Sequence, residues 1–176
     1  MAAPHVAKAN RHTVVALLED RPGVLNRVVS LFRRRGFNIE SLTVGHSDLP
    51  GISRLTVVVE GDDRTVEQVV KQLYKVVEVL KVSDVTEDRV VSRELALIKV
   101  AATATTRSEI MQICDIFRAK IVDVAQDSLM IEVTGTDDKV DSLIQLVRRF
   151  GIKELVRTGR VAMVRGSAGV TRVDDD

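Results

Sequence analysis

Two tandem βαββαβ units, an α+β architecture, are what this 176-residue sequence predicts. Three observations carry that prediction. Apolar residues alternate with period two in some stretches and recur at i, i+3, i+4, i+7 in others, and the two patterns follow in a fixed order. That order occurs twice. The break after the third strand also has the same chemistry each time, Gly61-Asp62-Asp63 and then Gly135-Thr136-Asp137-Asp138.

The first unit opens on Thr13-Val14-Val15-Ala16-Leu17-Leu18, a short β-rich apolar run. After Asp20-Arg21-Pro22-Gly23, the residues Leu25, Val28, Val29 and Phe32 fall on one face of a helix. Pro22 suits a first helical turn, where its missing N–H is no loss. Arg33, Arg34 and Arg35 occupy the last turn, where the dipole favours cations, and Gly36 closes it. A strand over 37–44 follows; its alternation slips between Ile39 and Leu42, which a bulge would explain. Asp48-Leu49-Pro50-Gly51 is turn chemistry, and 52–60 forms the hairpin partner with Leu55, Val57 and Val59 on one face. The second helix runs from about Thr65, with Val66, Val69, Val70, Leu73 and Val77 on its buried stripe. A strand over 79–85 completes the unit.

Thr86-Glu87-Asp88-Arg89, charged and without apolar period, is the natural linker, which sets the domains at 11–86 and 92–166. In the second unit a strand over 95–102 leads to Thr106 and Glu109, a capping-box pair ahead of Ile110, Ile113, Cys114 and Phe117. Strands over 120–125 and 129–134 flank a tight turn at Gln126-Asp127. Val140, Leu143, Ile144 and Val147 mark the fourth helix, closed by Gly151, and a last strand ends near Val164. Residues 167–176 read as a disordered tail. Each unit is therefore a ferredoxin-like domain, an antiparallel four-stranded sheet with both helices on one face. The other face and the edges of such a sheet must be buried by something, so self-association is expected.

Composition removes several function classes. Lys and Arg number 26 against 25 Asp and Glu, so no basic excess invites nucleic acid. One cysteine permits neither an intrachain disulfide nor a CxxC site. No stretch approaches the roughly 20 apolar residues that span a bilayer, and 1–11 has no signal-peptide core. A cytoplasmic protein is expected. GxGxxG, Walker A, HExxH and GxSxG patterns are missing, and His5, His12 and His46 form no cluster, so neither catalytic residues nor metal ligands are expected. Cys114, on an apolar stripe, reads as core packing.

The fold serves several kinds of site, so function must come from the residues. RNA recognition needs exposed aromatics on the central strands, whereas Ile52-Ser53-Arg54-Leu55-Thr56-Val57-Val58-Val59 has none. A metal carrier needs paired cysteines in the first loop. A small-ligand regulatory domain needs a helix start able to hold an amino-acid carboxylate, and Leu18-Glu19-Asp20-Arg21-Pro22-Gly23-Val24-Leu25 places one there. Amides at a helix N-terminus point outward, and the dipole favours an anion. Gly23 lacks the Cβ that would block close approach, and Asp20 offers an acceptor to an ammonium group. The same turn also serves as a plain helix start without a ligand, and spacing alone leaves both open.

Asp20-Arg21-Pro22-Gly23-Val24-Leu25 resembles the ligand-loop signature of ACT domains, the amino-acid-sensing modules of metabolic enzymes. Leu31-Phe32-Arg33-Arg34-Arg35-Gly36-Phe37-Asn38-Ile39-Glu40-Ser41-Leu42-Thr43-Val44 is similar to the hallmark of acetolactate synthase small subunits, and Arg93-Glu94-Leu95-Ala96-Leu97-Ile98-Lys99-Val100 extends the likeness into the second half. The resemblance implies a non-catalytic regulatory subunit with no cofactor of its own. Its partner large subunit would carry thiamine diphosphate, magnesium and FAD and condense pyruvate with pyruvate or 2-oxobutyrate, early in branched-chain amino acid biosynthesis. The small subunit would activate that enzyme, confer feedback inhibition by valine or a related amino acid, and dimerise through its ACT domain. By position, Asp20 and Gly23 of one chain, with Val24 beside them, and Asn38 and Ile39 of the other match the family's effector contacts; Leu25 would line the side-chain pocket. Asn38 has a second, less favoured reading as a turn residue after Gly36. A stand-alone amino-acid-binding ACT homodimer acting on another enzyme or a transcription factor is the alternative reading.

Overall fold

The computed structural model describes residues 11–166. The first unit comprises β1 (Arg11–Glu19), α1 (Val24–Arg35), β2 (Asn38–His46), β3 (Ile52–Glu60), α2 (Asp63–Leu73) and β4 (Val79–Asp84). Its sheet is antiparallel in the order β2-β3-β1-β4, so β2, which opens the hairpin, and β4, which ends the unit, are its edges. Val14, Ala16 and Leu18 of β1 and Leu55, Val57 and Val59 of β3 meet Val24, Val28, Leu31 and Phe32 of α1 and Val66, Val69 and Leu73 of α2 in one core. Phe32 and Phe37 stack edge to face with ring centroids 5.8 Å apart, which fixes α1 against the strand that follows it.

Helix α1 ends as its sequence predicts. Gly36 adopts φ +68, and its amide and that of Phe37 reach back to the carbonyls of Arg33 and Phe32, a Schellman closure below three arginines. The slip in β2 is also real. Ile39 faces Val59 and Ser41 faces Val58, so Glu40 is the extra residue of a β-bulge. Gly61 owes its identity to crowding: a Cβ there would lie 2.6 Å from Cβ of Thr65, in the first turn of the helix it precedes.

Four expectations for this unit are corrected. Pro22 is not in the first turn of α1, because Gly23 at φ +87 breaks the helical path and α1 begins at Val24. Leu25 and Val29, expected on the buried face, are about two-fifths exposed, since the core-facing stripe runs through Val24, Val28, Leu31 and Phe32 instead. Val77 is 86% exposed because α2 stops at Leu73 and the chain turns away before it. The far face of the sheet is not bare either: Thr13, Val15, Leu17, Thr56 and Val58 are all buried in the single chain.

The second unit comprises β5 (Val90–Ala101), α3 (Arg107–Phe117), β6 (Lys120–Val124), β7 (Ser128–Gly135), α4 (Asp137–Val147), a 3-10 turn (Arg148–Phe150) and β8 (Ile152–Arg157). Its sheet order, β6-β7-β5-β8, repeats that of the first, and β9 (Val161–Val164) pairs with β5 as an added strand. The last strand expected from sequence is therefore two, with a break between them. Ile98, Val100, Ile131 and Val133 pack against Ile110, Ile113 and Cys114 of α3 and Val140, Leu143, Ile144 and Val147 of α4. The compact second unit spans Ser92–Val161, and residues 162–166 group with the first. The expected tail, 167–176, lies outside the described residues.

The capping box expected at Thr106 and Glu109 does not form. Thr106 has a helical backbone (φ −93, ψ −17), and its hydroxyl accepts from the Thr103 amide at 2.9 Å rather than from its own helix. Glu109 pairs with Arg149 instead.

Candidate functional site

Strand β1 delivers the chain to the candidate site through three backbone bonds. The Asp20 amide donates to Gly51 O at 2.8 Å, the Arg21 amide to Glu19 O at 3.0 Å and the Val24 amide to Arg21 O at 3.3 Å. These fold the segment into a turn that only a left-handed residue can close, and Gly23 supplies it at φ +87. Nothing lies within 4 Å of where its Cβ would be. Close packing within the chain is therefore not the reason for glycine here; backbone conformation is.

The start of α1 is left open. No side chain caps it and no acid stands in its first turn, whereas the first turn of α2 holds Asp63, that of α3 Glu109 and that of α4 Asp137 and Asp138. The amides of Leu25 and Asn26 meet no acceptor among the described residues. Two oriented N–H groups on a positive dipole end form an anion seat. Val24 is buried in the core and anchors the turn, while Leu25, with Val29 one turn on, leaves an apolar stripe beside it.

Around this seat stand groups that sequence reasoning missed. His46, at the end of β2, places Nδ1 3.1 Å from the Asp20 carboxylate. Arg27 reaches Glu78, whose side chain is almost wholly buried and whose Oε2 has no hydrogen-bond partner. Neither contact has a local signal. Asp20 meets His46 only because β2 and β3 run back beside β1, and Glu78 arrives through the Glu19 amide bond to its carbonyl.

Asn38 and Ile39 lie elsewhere. Asn38 pairs with Glu60 across the ladder and donates from Nδ2 to its carboxylate at 2.7 Å; Ile39 is half-buried against the core. Glu19 faces Ile52, at the opposite end of β3 from Glu60. Eight residue steps separate those ends, about 27 Å. One chain therefore does not bring Asp20 and Gly23 together with Asn38 and Ile39.

Among the described residues no three His, Cys, Asp or Glu side chains are placed to hold a metal ion. Burial pushes the Cys114 thiol up to about 11, the opposite of what a nucleophile needs. No helix among the described residues is long and apolar enough to cross a membrane.

Known proteins share both halves of this architecture. A family described as the small subunit of acetolactate synthase matches residues 93–166, and one described as an AHAS small subunit-like ACT domain matches 15–81. The chain is 60% identical over 157 residues to the Archaeoglobus fulgidus protein named "Probable acetolactate synthase small subunit", covering 89% of this chain and 98% of that one. It is 50% identical to the acetolactate synthase small subunit of Mycolicibacterium smegmatis, over 90% of this chain and 94% of that one. The crystal structure of the acetolactate synthase small subunit from Thermotoga maritima superposes with a TM-score of 0.83 at 47% identity, covering 90% of this chain and 99% of that one. A fold, two motif-bearing halves and near full-length identity agree: the chain belongs to the acetolactate synthase small subunit family.

Proposed function

We propose that this chain is the non-catalytic regulatory subunit that activates the large subunit of acetolactate synthase and makes it sensitive to valine. Membership of a small-subunit family implies a catalytic large subunit as partner. Thiamine diphosphate, magnesium and FAD belong, in this reading, to that partner.

The observation that carries the reading is the open start of α1. The effector's carboxylate accepts from the amides of Leu25 and Asn26, its ammonium group lies toward the carboxylate of Asp20, and its branched side chain rests on Leu25. The geometry of β2 supports a site shared by two chains. This strand is a sheet edge, and its His46 end is the one that touches Asp20. Antiparallel pairing of two β2 edges about a two-fold axis carries the Asn38 end of one chain to the His46 end of the other. Asn38 then adds both a donor and an acceptor to the head group, and the half-exposed Leu25 and Val29 gain cover.

The test is a titration of purified large subunit with this chain, with and without valine, followed as acetolactate formation. Activation that saturates with the small subunit and is reversed by valine is the expected result. A large subunit indifferent to this chain would sink the proposal, as would a flavin-coloured preparation of the chain alone.

A further inference from the structure

A cavity lies at the far end of the first unit from the candidate effector site, on the helix side of its sheet. It is an open hollow of about 580 Å³ between the starts of β1 and α2 and the end of β4, lined by His12, Asp63, Glu67, Asp84, Glu87 and the valines Val66 and Val70, with Lys71 and Thr86. That volume falls within the ~300–1,000 Å³ of small-ligand pockets. From Leu18, next to the candidate effector site, six steps along β1 lead to His12, about 20 Å away.

His12 is the feature that sequence and fold leave unexplained. Its side chain is 7% exposed, and neither ring nitrogen has a hydrogen-bond partner. Buried polar groups of this kind are nearly always satisfied. A neutral imidazole has one donor and one acceptor. Nε2 lies 3.9 Å from the Asp63 carboxylate, the natural direction for the donor, which leaves Nδ1 as an acceptor without a hydrogen to receive. The charge of the lining fits the missing donor. Lys71 already pairs with Glu67, so Asp63, Asp84 and Glu87 remain as further negative groups, one of them holding Thr86. Thr86 in turn receives the Thr13 amide at 3.0 Å and is not available to His12. A metal ion does not match, because no three ligating side chains converge among the described residues.

We propose that this cavity binds a small aliphatic amine, its ammonium group held by Asp63, Asp84 and Glu87 and donating to His12, its methylenes laid on Val66 and Val70. Cations gain from the carboxylates, the aliphatic body from the valines, and the ammonium supplies the donor that the buried imidazole lacks. The site is independent of the effector seat at Gly23, and lies on the opposite end of β1.

Putrescine is the probe, with butanediol as its uncharged counterpart, added to the full-length protein at fixed pH and ionic strength. Imidazole ring signals are followed by NMR, the His12 pair being identified by its loss in His12→Phe. Putrescine should move the His12 signals along a saturable curve while those of His46 stay in place, and butanediol should leave both unmoved. His12→Phe, and separately Asp63→Asn with Glu87→Gln, should each weaken putrescine binding at least about tenfold by calorimetry, near 1.4 kcal/mol. The paired carboxylate variant changes exposed groups only, so it keeps the question answerable should His12→Phe fail to fold. Gly23→Asp should leave putrescine binding unchanged. Equal responses to putrescine and butanediol, a response reproduced by sodium chloride, or unaltered affinity in the carboxylate variant would each overturn the proposal.

Discussion

The two units share one topology and differ at one junction. In the first, the chain enters its first helix through a left-handed glycine and no acid stands in the first turn; in the second it enters through a turn of threonines, and Glu109 stands in the first turn. Thr103 and Thr106 exchange bonds between hydroxyls and amides at 2.9 and 3.2 Å, and the Arg107 amide closes on Thr103 O. Arg107 then spans to the carbonyls of Ala125 and Gln126, across the mouth of the junction. The same fold thus starts the matching helix on a left-handed glycine without a nearby acid in one copy, and on a hydrogen-bonded threonine turn with an acid in the other. A repeat alone does not confer a site; the residues at one loop decide it.

The sharpest way to break this contrast is Gly23→Asp. A carboxylate at the helix start occupies the place of the effector's own and repels it. Each lost charge-assisted bond is worth about 1.5–3 kcal/mol, so losing two should weaken valine at least about a hundredfold while activation of the large subunit persists. Gly23→Ala separates strain from charge, since it bears the same left-handed cost of about 1–2 kcal/mol without the repulsion. Valine inhibition of the reconstituted enzyme reads both, and normal sensitivity in Gly23→Asp would place the site elsewhere. Mixed dimers of Gly23→Asp with Asn38→Ala chains should keep one intact site of two.

Core substitutions sharpen the comparison from beneath. Phe32→Ala, which removes the ring that anchors α1, should cost about 3–5 kcal/mol in denaturant unfolding, and Leu143→Ala in α4 about 2–5 kcal/mol. Only the first should also raise the valine concentration needed for inhibition. Equal effects on valine response from both would mean that the two units are not separable in function.

Val29→Glu tests the seam. Val29 is 41% exposed in the single chain. Covering such a side chain is worth up to about 1.5–3 kcal/mol, so the charged variant should dissociate roughly ten- to a hundredfold more readily in sedimentation. An unchanged dimer would move the interface off α1. The smallest effect belongs to the second junction: Thr103→Ala should lower stability by about 1 kcal/mol and leave the valine response as it was.

Much of this fold is legible in the sequence where side-chain periodicity must obey geometry. The bulge at Glu40 shows because a period-two pattern cannot shift phase otherwise, and α4 shows because Val140, Leu143, Ile144 and Val147 have no other way to share a face. Local rules fail where backbone conformation outranks side-chain preference. Pro22 has the right chemistry for a first turn, but the left-handed Gly23 intervenes. Thr106 and Glu109 have the right spacing for a capping box, but the helical backbone of Thr106 turns its hydroxyl to Thr103. The apolar stripe of α2 continues in sequence to Val77 although the helix does not. The loop from Asp20 to Leu25 is readable as a motif, whereas the contact of Asp20 with His46 and the distance from Asn38 depend on strand order, which no local signal encodes.

For the proposed valine sensor with a site shared by two chains, the eight steps of β3 between Ile52 and Glu60 have a consequence for how the signal is measured. On that reading a lone chain would carry two unmatched halves and be blind to the effector, so ligand occupancy and self-association would become a single linked equilibrium. At a hundredfold excess over Kd, each bridged site favours the paired state by about 2.7 kcal/mol. Dilution then acts as an antagonist: the dose that inhibits depends on how much of the sensor is present, and a scarce sensor is a deaf one.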